Sequence, residues 1–334
     1  MLTAELIAPR QFQLVQTEIG DPRPGEIQVR VGAVGICGSD LHWYGEGGIG
    51  DTPAQFPMVL GHEPSGTVHK TGPGVTGWSP GDRAALEPAI YCHHCEYCRT
   101  GRHNVCANIR FLSNPGDPGF YREFVNLPAG NLLPIPQSLS LELATVVEPL
   151  AVALHSMKFA AVQPGETVAV FGAGPIGLLT IACLKVAGAG RIFVVEPVPH
   201  RRDMARHLGA DDVFDPADQA AIRDVDCSID CAAKQHTTNW ALRATRSAGR
   251  LVITGIHSDS FVPFDVSPMR RKELAIFNVR RSNHESEAAL QLLVERSAWF
   301  APLITHTRPL ACITDAFSML EQYADGVCKM ILAP

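Results

Sequence analysis

The 334-residue chain reads as a two-domain α/β protein, a β-rich first half followed by a doubly wound parallel sheet. Three observations predict this. The first 150 residues are rich in Gly and Pro and break into short strand-and-turn pieces. Near Ala151 the pattern changes to short apolar strands alternating with helical stretches. Where the first of those strands meets a helix stands a glycine turn, GAGPIG, at 172–177.

Taken in order, EIQVRVGAVGIC alternates at period two over Ile27, Val29 and Val31, the mark of a strand with one buried face. GTVHKTG and GDRAAL add further strand-and-turn pieces, and together they predict a small β-barrel or sandwich with long loops. TVAVF (167–171) is a short buried strand and is followed by a helix through about Ala187. RIFVVE (191–196), a helix around His200–Leu208, VDCSID (225–230), a helix near His236–Ser247 and RLVITG (250–255) continue the alternation. Beyond Asn283 the pattern loosens into a helix, a Pro-bearing loop and a last strand, CKMILA. That tail is too small for a core of its own and is expected to return to the first domain.

The run CHHCEYCRTGRHNVC carries Cys92, Cys95, Cys98 and Cys106, two consecutive C-x-x-C steps and a fourth thiol one short loop later. This spacing suits a closed four-thiolate zinc site, which holds a fold together and does no chemistry. Disulfides across two intervening residues are strained and mostly redox-active, and no other redox feature accompanies these cysteines.

Gly172, Gly174 and Gly177 form G-x-G-x-x-G after a strand and at the start of a helix, and the acid Glu196 ends the next strand. That context is what a dinucleotide pyrophosphate requires: a tight turn, a close backbone approach and a helix N-terminus facing the phosphates. Glu196 suits the ribose hydroxyls of NAD, whereas Arg201 and Arg202 keep the 2′-phosphate of NADP open as an alternative.

A second, open metal site needs about three ligands of Cys, His and carboxylate type. GICGSDLHWYGEG offers Cys37, Ser39, Asp40 and His42, and LGHEPSG offers His62 and Glu63. Taken singly, Cys37 reads as a buried apolar residue and His62 as a satisfied turn histidine. Glu148, set in the apolar run ATVVEPLAVALH, resists such a reading, because an unpaired carboxylate there costs several kcal/mol if ionised.

Together the GHE segment, CGSDLH, the four-cysteine lobe, VVEPLAVALH and GAGPIG give the chain a family likeness. It resembles the zinc-containing medium-chain dehydrogenase/reductases, particularly the polyol branch of sorbitol, idonate, galactonate and threonine dehydrogenases. The resemblance implies a GroES-like β-barrel catalytic domain (1–150), a Rossmann NAD-binding domain (151–283) and a C-terminal segment (284–334) returning to the first. It implies catalytic zinc at Cys37, His62 and Glu63, with Glu148 reaching the ion directly or through water. Ser39 and His42 match the proton-relay positions, Ile176, Glu196 and Arg201 match NAD-binding positions, and Arg280 matches a substrate- or cofactor-contacting arginine. Trp43, Tyr44 and Phe111 are the expected apolar pocket walls, with Glu148 and Arg280 as polar substrate partners. Two departures stand out: Pro64 follows GHE, and Arg281 stands where the sorbitol enzymes carry an aromatic residue.

The expected activity is transfer of a hydride from a secondary hydroxyl of a polyol or sugar acid to NAD. Simple-alcohol or threonine oxidation on the same fold is the nearest alternative, and a non-enzymatic binding relative a more distant one. The net charge of −6 argues against nucleic acid or anionic membrane as a partner. MLTAELIAPRQF lacks the charge and apolar pattern of a signal peptide, and free thiols with thiolate-bound zinc suit a reducing cytoplasm. The strand LAIFNV (274–279) reads either as a sheet edge or as the pairing strand of a dimer or tetramer.

Overall fold

The computed structural model describes residues 1–334 and divides the chain into two compact units. One comprises Met1–Glu148 and Ser286–Pro334, the other Pro149–Glu285.

The first unit is organised by one long strand, Glu26–Gly35. It pairs antiparallel with Glu63–Thr71 along its whole length, from Ile27 opposite Thr71 to Gly35 opposite Glu63. Its first half also pairs with Phe124–Pro128, and its end with Lys329–Ala333. Register shifts at Gln28/Val29 and Val31/Ala33 bend the strand, so the sheet coils upon itself. Most of its residues are buried, Arg30 being the exposed one, and even Gln28 is buried because its amide donates to Gly20 and Asn126. Leu6, Ile27, Val29, Leu60, Leu127 and Met330 are fully buried in the core beneath it. Pro64 is tolerated because pairing with Arg83–Leu86 begins only at Ser65.

The tail does more than the sequence suggests. Ile304–Pro309, expected as a Pro-bearing loop, is a strand running parallel to Lys329–Ala333. Its residues alternate between half-buried and exposed, with Pro309 confined to the strand end, although ITHTRP shows no apolar alternation of its own.

In the second unit, six parallel strands number in chain order as Thr167–Phe171, Arg191–Val195, Asp212–Phe214, Val225–Asp230, Thr245–Ile253 and Ala275–Asn278. They lie side by side in the order 3-2-1-4-5-6, the doubly wound arrangement whose order reverses beside the first strand. Asp212–Phe214 escapes the sequence reading because it is three half-buried residues at a sheet edge. The helix placed near His236–Ser247 spans Gln235–Ala244, since Thr245 already pairs with Val225. LAIFNV supplies the other edge, bonded on one flank to Thr245–Ile253. The helix Pro175–Ala187 is apolar nearly all round and correspondingly buried, opened by Pro175 and stopped by Gly188 at φ 85°.

Candidate active site and metal centres

The four-cysteine lobe is built almost entirely from local chain. Cys92, Cys95, Cys98 and Cys106 bring their sulfurs within 4.8 Å of one another. The peptide N–H of Cys95 points at Cys92 Sγ (3.4 Å) and that of Cys98 at Cys95 Sγ (3.5 Å). Donors of this kind favour thiolate; the peptide group at His94, assisted by the Asn108 amide, lowers the Cys92 thiol to about 5. Four converging sulfurs, free of disulfides, fit a structural zinc ion.

The second cluster is assembled from distant elements. Cys37 closes the loop after Glu26–Gly35, while His62 and Glu63 open the neighbouring strand. One donor atom of each lies within 4.8 Å of the others. Behind them sits Asp40, fully buried on the helix Gly38–Glu46. Its carboxylate accepts from the Cys37 N–H (3.1 Å), the Gly61 N–H (3.3 Å), Ser113 Oγ (3.2 Å) and Tyr121 Oη (3.0 Å). It also faces His62 Nδ1 at 3.4 Å. Asp40, one of the acids in the first segment, is thus a brace for Cys37 and His62 rather than a member of the donor cluster. Burial opposes charge on His62, but Asp40, then Cys37, more than reverse this and hold the imidazolium well above its usual range. His62 Nδ1 makes no hydrogen bond of good geometry, but the Asp40 charge facing it favours the proton on that nitrogen and leaves Nε2 for a metal, the carboxylate–histidine–metal pattern. Glu63 is 1% exposed and neither of its oxygens accepts a hydrogen bond of good geometry, although Lys329 Nζ lies against it as an ion pair. A buried carboxylate so placed fits a cation, and Cys, His and carboxylate are zinc donors.

Around this cluster, Ser39 Oγ lies 3.3 Å from His62 Nε2, and His42 Nδ1 lies 3.0 Å from Glu46 on the next turn of the helix. The Phe111 ring is centred 5.5 Å from that of His62. Glu148 stands outside the three-donor set, and burial pushes its carboxyl up to about 8, with His62 pulling the other way. Tyr44 differs from expectation. It is 3% exposed and packs between Phe12 and Phe317, so its ring belongs to the core; Trp43 is likewise buried. Lys329 is the residue the sequence reading missed, although a lone lysine in CKMILA carries the same warning as Glu148 among valines.

In the second unit Gly172 adopts φ +94°, and a Cβ on Gly177 would collide with the Gly172 carbonyl, so strand and helix meet only through glycine. Ile176 lies in the first turn of the following helix. Glu196 accepts from the Ala173 N–H inside the turn (2.6 Å) and from the Val198 N–H (2.9 Å). Arg202 is drawn away to Asp215 (2.9 Å) and to the carbonyl groups of Glu196 and Pro197. Arg201 is buried, its Nη1 3.9 Å from where a Gly174 Cβ would stand. Arg280 is exposed, and Arg281 takes φ +54°.

Comparison with known proteins agrees with both halves. Residues 23–137 match the alcohol dehydrogenase GroES-like domain, and residues 175–295 the zinc-binding dehydrogenase domain. Sorbitol dehydrogenase of Bacillus subtilis is 31% identical over 100% of this chain and 97% of its own length. A zinc-binding dehydrogenase of Sinorhizobium meliloti, solved with NADP, superposes with a TM-score of 0.91 at 28% identity, covering 100% of this chain and 99% of that one. The RspB alcohol dehydrogenase of Escherichia coli, solved with NADH, gives 0.89 at 30% identity, covering 100% and 99%. The chain belongs to the zinc-containing medium-chain dehydrogenase/reductases, in their polyol dehydrogenase branch.

Proposed function

We propose that the protein oxidises a secondary hydroxyl of a polyol or sugar acid, with NAD as hydride acceptor and zinc held by Cys37, His62 and Glu63. The observation that carries this reading is the convergence of those three donors on a buried carboxylate brace. Zinc bound there supplies Lewis acidity that draws the hydroxyl pKa toward neutrality, and the nicotinamide supplies the hydride acceptor.

The protein's own groups do the rest. Asp40 fixes the His62 ring and the Cys37 peptide together. With His62 Nε2 given to a metal, the Ser39 hydroxyl would lose that partner and could take the substrate hydroxyl's proton while releasing its own toward His42. His42 carries the proton onward to solvent, with Glu46 orienting its ring. Glu148 offers a hydrogen bond to a further substrate hydroxyl and Phe111 an apolar wall; Arg280 is assigned a carboxylate or cofactor contact. A polar pocket favours polyhydroxylated substrates, because ethanol leaves its buried groups unpaired. For the cofactor, the place of Glu196 at the glycine turn and the engagement of Arg202 by Asp215 support NAD over NADP. Ile176 and Arg201 complete the proposed cofactor contacts.

The second zinc is assigned to the four-cysteine lobe. The free flank of Ala275–Asn278 supports a homo-oligomer, dimer or tetramer, through strand pairing with a second copy. The helical stretch Leu141–Ala160 has the length and hydropathy of a membrane span, but two-thirds of its apolar window, 67%, is buried within the fold. Ten cysteines, none in a disulfide, support a cytoplasmic location.

The test is initial rates on sorbitol, galactitol, xylitol, an aldonate, ethanol and 2-butanol, with NAD and NADP in parallel. We expect kcat/KM for the best polyol or aldonate to exceed that for the simple alcohols by at least about 100-fold, a threshold well below the roughly 10⁴-fold rejection that unpaired buried polar groups can impose. Equal turnover of ethanol or 2-butanol overturns the substrate class, and a preference for NADP overturns the role given to Glu196.

A further inference from the structure

One chain of hydrogen bonds in the second unit takes no part in the metal centres. Asp230 ends the strand Val225–Asp230 and is fully buried. Its carboxylate accepts from the Ala232 N–H (3.1 Å), the Ala233 N–H (2.9 Å), Thr237 Oγ1 (3.1 Å) and Thr238 Oγ1 (2.6 Å). Thr238, equally buried on the helix Gln235–Ala244, lies 3.1 Å from His257 Nε2. A hydroxyl has one proton, and at 2.6 Å that of Thr238 goes to Asp230 rather than to the Lys234 carbonyl at 3.3 Å. Its oxygen is left to accept, so the ring nitrogen facing it is the protonated one. Neutral His257 therefore presents Nδ1 as an acceptor, and Nδ1 makes no hydrogen bond within the chain. The loop is also pinned at its far end to the same helix. Asn239 donates to the Pro263 carbonyl (3.2 Å) and accepts from the Asp265 N–H (2.8 Å).

This fixed acceptor stands at the carboxyl edge of the sheet. The Asp230 carbonyl accepts from the Thr254 N–H (2.9 Å) and the Gly255 N–H (3.0 Å), just past the end of Thr245–Ile253. A Cβ on Gly255 would come within 2.8 Å of Ala233 Cβ, and one on Gly172, in the glycine turn, within 2.9 Å of Ala232 Cβ. The ends of the first, fourth and fifth strands thus lie close together, two residues before His257. In a doubly wound sheet a dinucleotide lies across this edge, with one half on either side of the switch point. With Glu196 of the second strand assigned to the adenosine ribose and the glycine turn to the pyrophosphate, the nicotinamide half falls over the fourth and fifth strands. We propose that His257 is a cofactor-binding residue, its Nδ1 accepting a hydrogen bond from the nicotinamide half, from a ribose hydroxyl or the carboxamide amine. Asp230, acting through Thr238, is the positioning residue that sets its tautomer. A purely structural His257, by contrast, would staple the loop and affect every ligand of the edge alike.

The inference rests on the dinucleotide reading above, and the choice of ligands separates the two. Dissociation constants for NADH, ADP-ribose and ADP are measured by titration calorimetry on wild type, His257→Ala, His257→Asn and Thr238→Val. Wild type that binds none of the three overturns the dinucleotide reading, and this proposal with it. Otherwise His257→Ala is expected to bind NADH about fivefold more weakly, the scale of one lost hydrogen bond, and ADP within about twofold of wild type. ADP-ribose identifies the donor. It weakens together with NADH if His257 serves a ribose hydroxyl, and keeps its affinity if His257 serves the carboxamide. His257→Asn, whose amide oxygen can stand where Nδ1 stands, should stay within about twofold of wild type for NADH. Thr238→Val frees the ring and should reproduce the selective loss at about two- to threefold. Unchanged ADP affinity shows that a variant is folded, and His257→Leu replaces His257→Ala should the latter fail that control. Equal weakening of all three ligands, or NADH affinity unchanged in the truncated variants, overturns the proposal.

Discussion

The two metal clusters of the first unit are opposites in construction. The four-cysteine lobe takes all its donors from fifteen consecutive residues, and its hydrogen bonds to sulfur come from the same loop. The Cys37–His62–Glu63 cluster draws on two strands, braces them through a buried helix acid, and takes the ion-pair partner of Glu63 from the last strand of the sheet. A local cluster folds with the metal and supplies stability, whereas a long-range cluster is held by a fold that exists without it. The difference predicts that the same cysteine-to-serine change has separate consequences at the two sites.

The largest effect expected is that split. Cys37→Ser should lower kcat by about 10³-fold, since the metal contributes several kcal/mol to the transition state, with little change in Tm. Cys98→Ser should instead lower stability by several kcal/mol, because structural zinc is folding energy. Thermal melts and turnover on the same preparations check both; an unfolded Cys37→Ser protein would erase the comparison.

Next in size is the brace. Asp40→Asn keeps the shape of the side chain but removes the anion facing His62 and leaves one acceptor oxygen where two serve Cys37, Gly61, Ser113 and Tyr121. Zinc affinity at the Cys37 cluster should fall about 10- to 100-fold while the four-cysteine zinc is retained, as competitive chelation with elemental analysis would show. Loss of both ions together would mean that the sites are coupled through folding.

The smallest effect sharpens the contrast from the other side. Asn108 donates to Cys92 Sγ at 3.6 Å from an exposed position on the lobe. Asn108→Ala should shift stability by less than about 1 kcal/mol and leave kcat unchanged, because neighbouring peptide groups already serve the sulfurs. A turnover defect in that variant would give the lobe a role in catalysis.

The same contrast explains what was legible in the sequence. The lobe and the glycine turn were readable because their chemistry is written in adjacent residues. Cys37, His62 and Glu63 were readable as fragments, and the family resemblance joined them. The brace role of Asp40 and the presence of Lys329 depend on which strand lies beside which, and nothing in local spacing encodes the pairing of Gly35 with Glu63 on one side and of its strand with Lys329–Ala333 on the other. Tyr44 was misplaced for a related reason. It shares a helix with Ser39 and His42, but its ring faces the other way, against Phe12 and Phe317. Strand Ile304–Pro309 is hidden for another reason: ITHTRP carries a single aliphatic side chain, so its alternating burial has no counterpart in the spacing of apolar residues.

The return of Ser286–Pro334 to the first unit has a consequence for the order in which the molecule matures on the ribosome. Pro149–Glu285 is continuous and owns all six strands of its sheet, so it can close its core as soon as it emerges. Met1–Glu148 is translated earlier yet must wait, because two strands of its sheet, Ile304–Pro309 and Lys329–Ala333, are made last. The usual sequence of N-terminal unit first is thereby inverted. Until Lys329 arrives, the nascent Glu63 has no cation of the chain's own beside it. The Cys37–His62–Glu63 cluster is therefore set at the end of a sheet that is completed only when Lys329–Ala333 pairs with Glu26–Gly35.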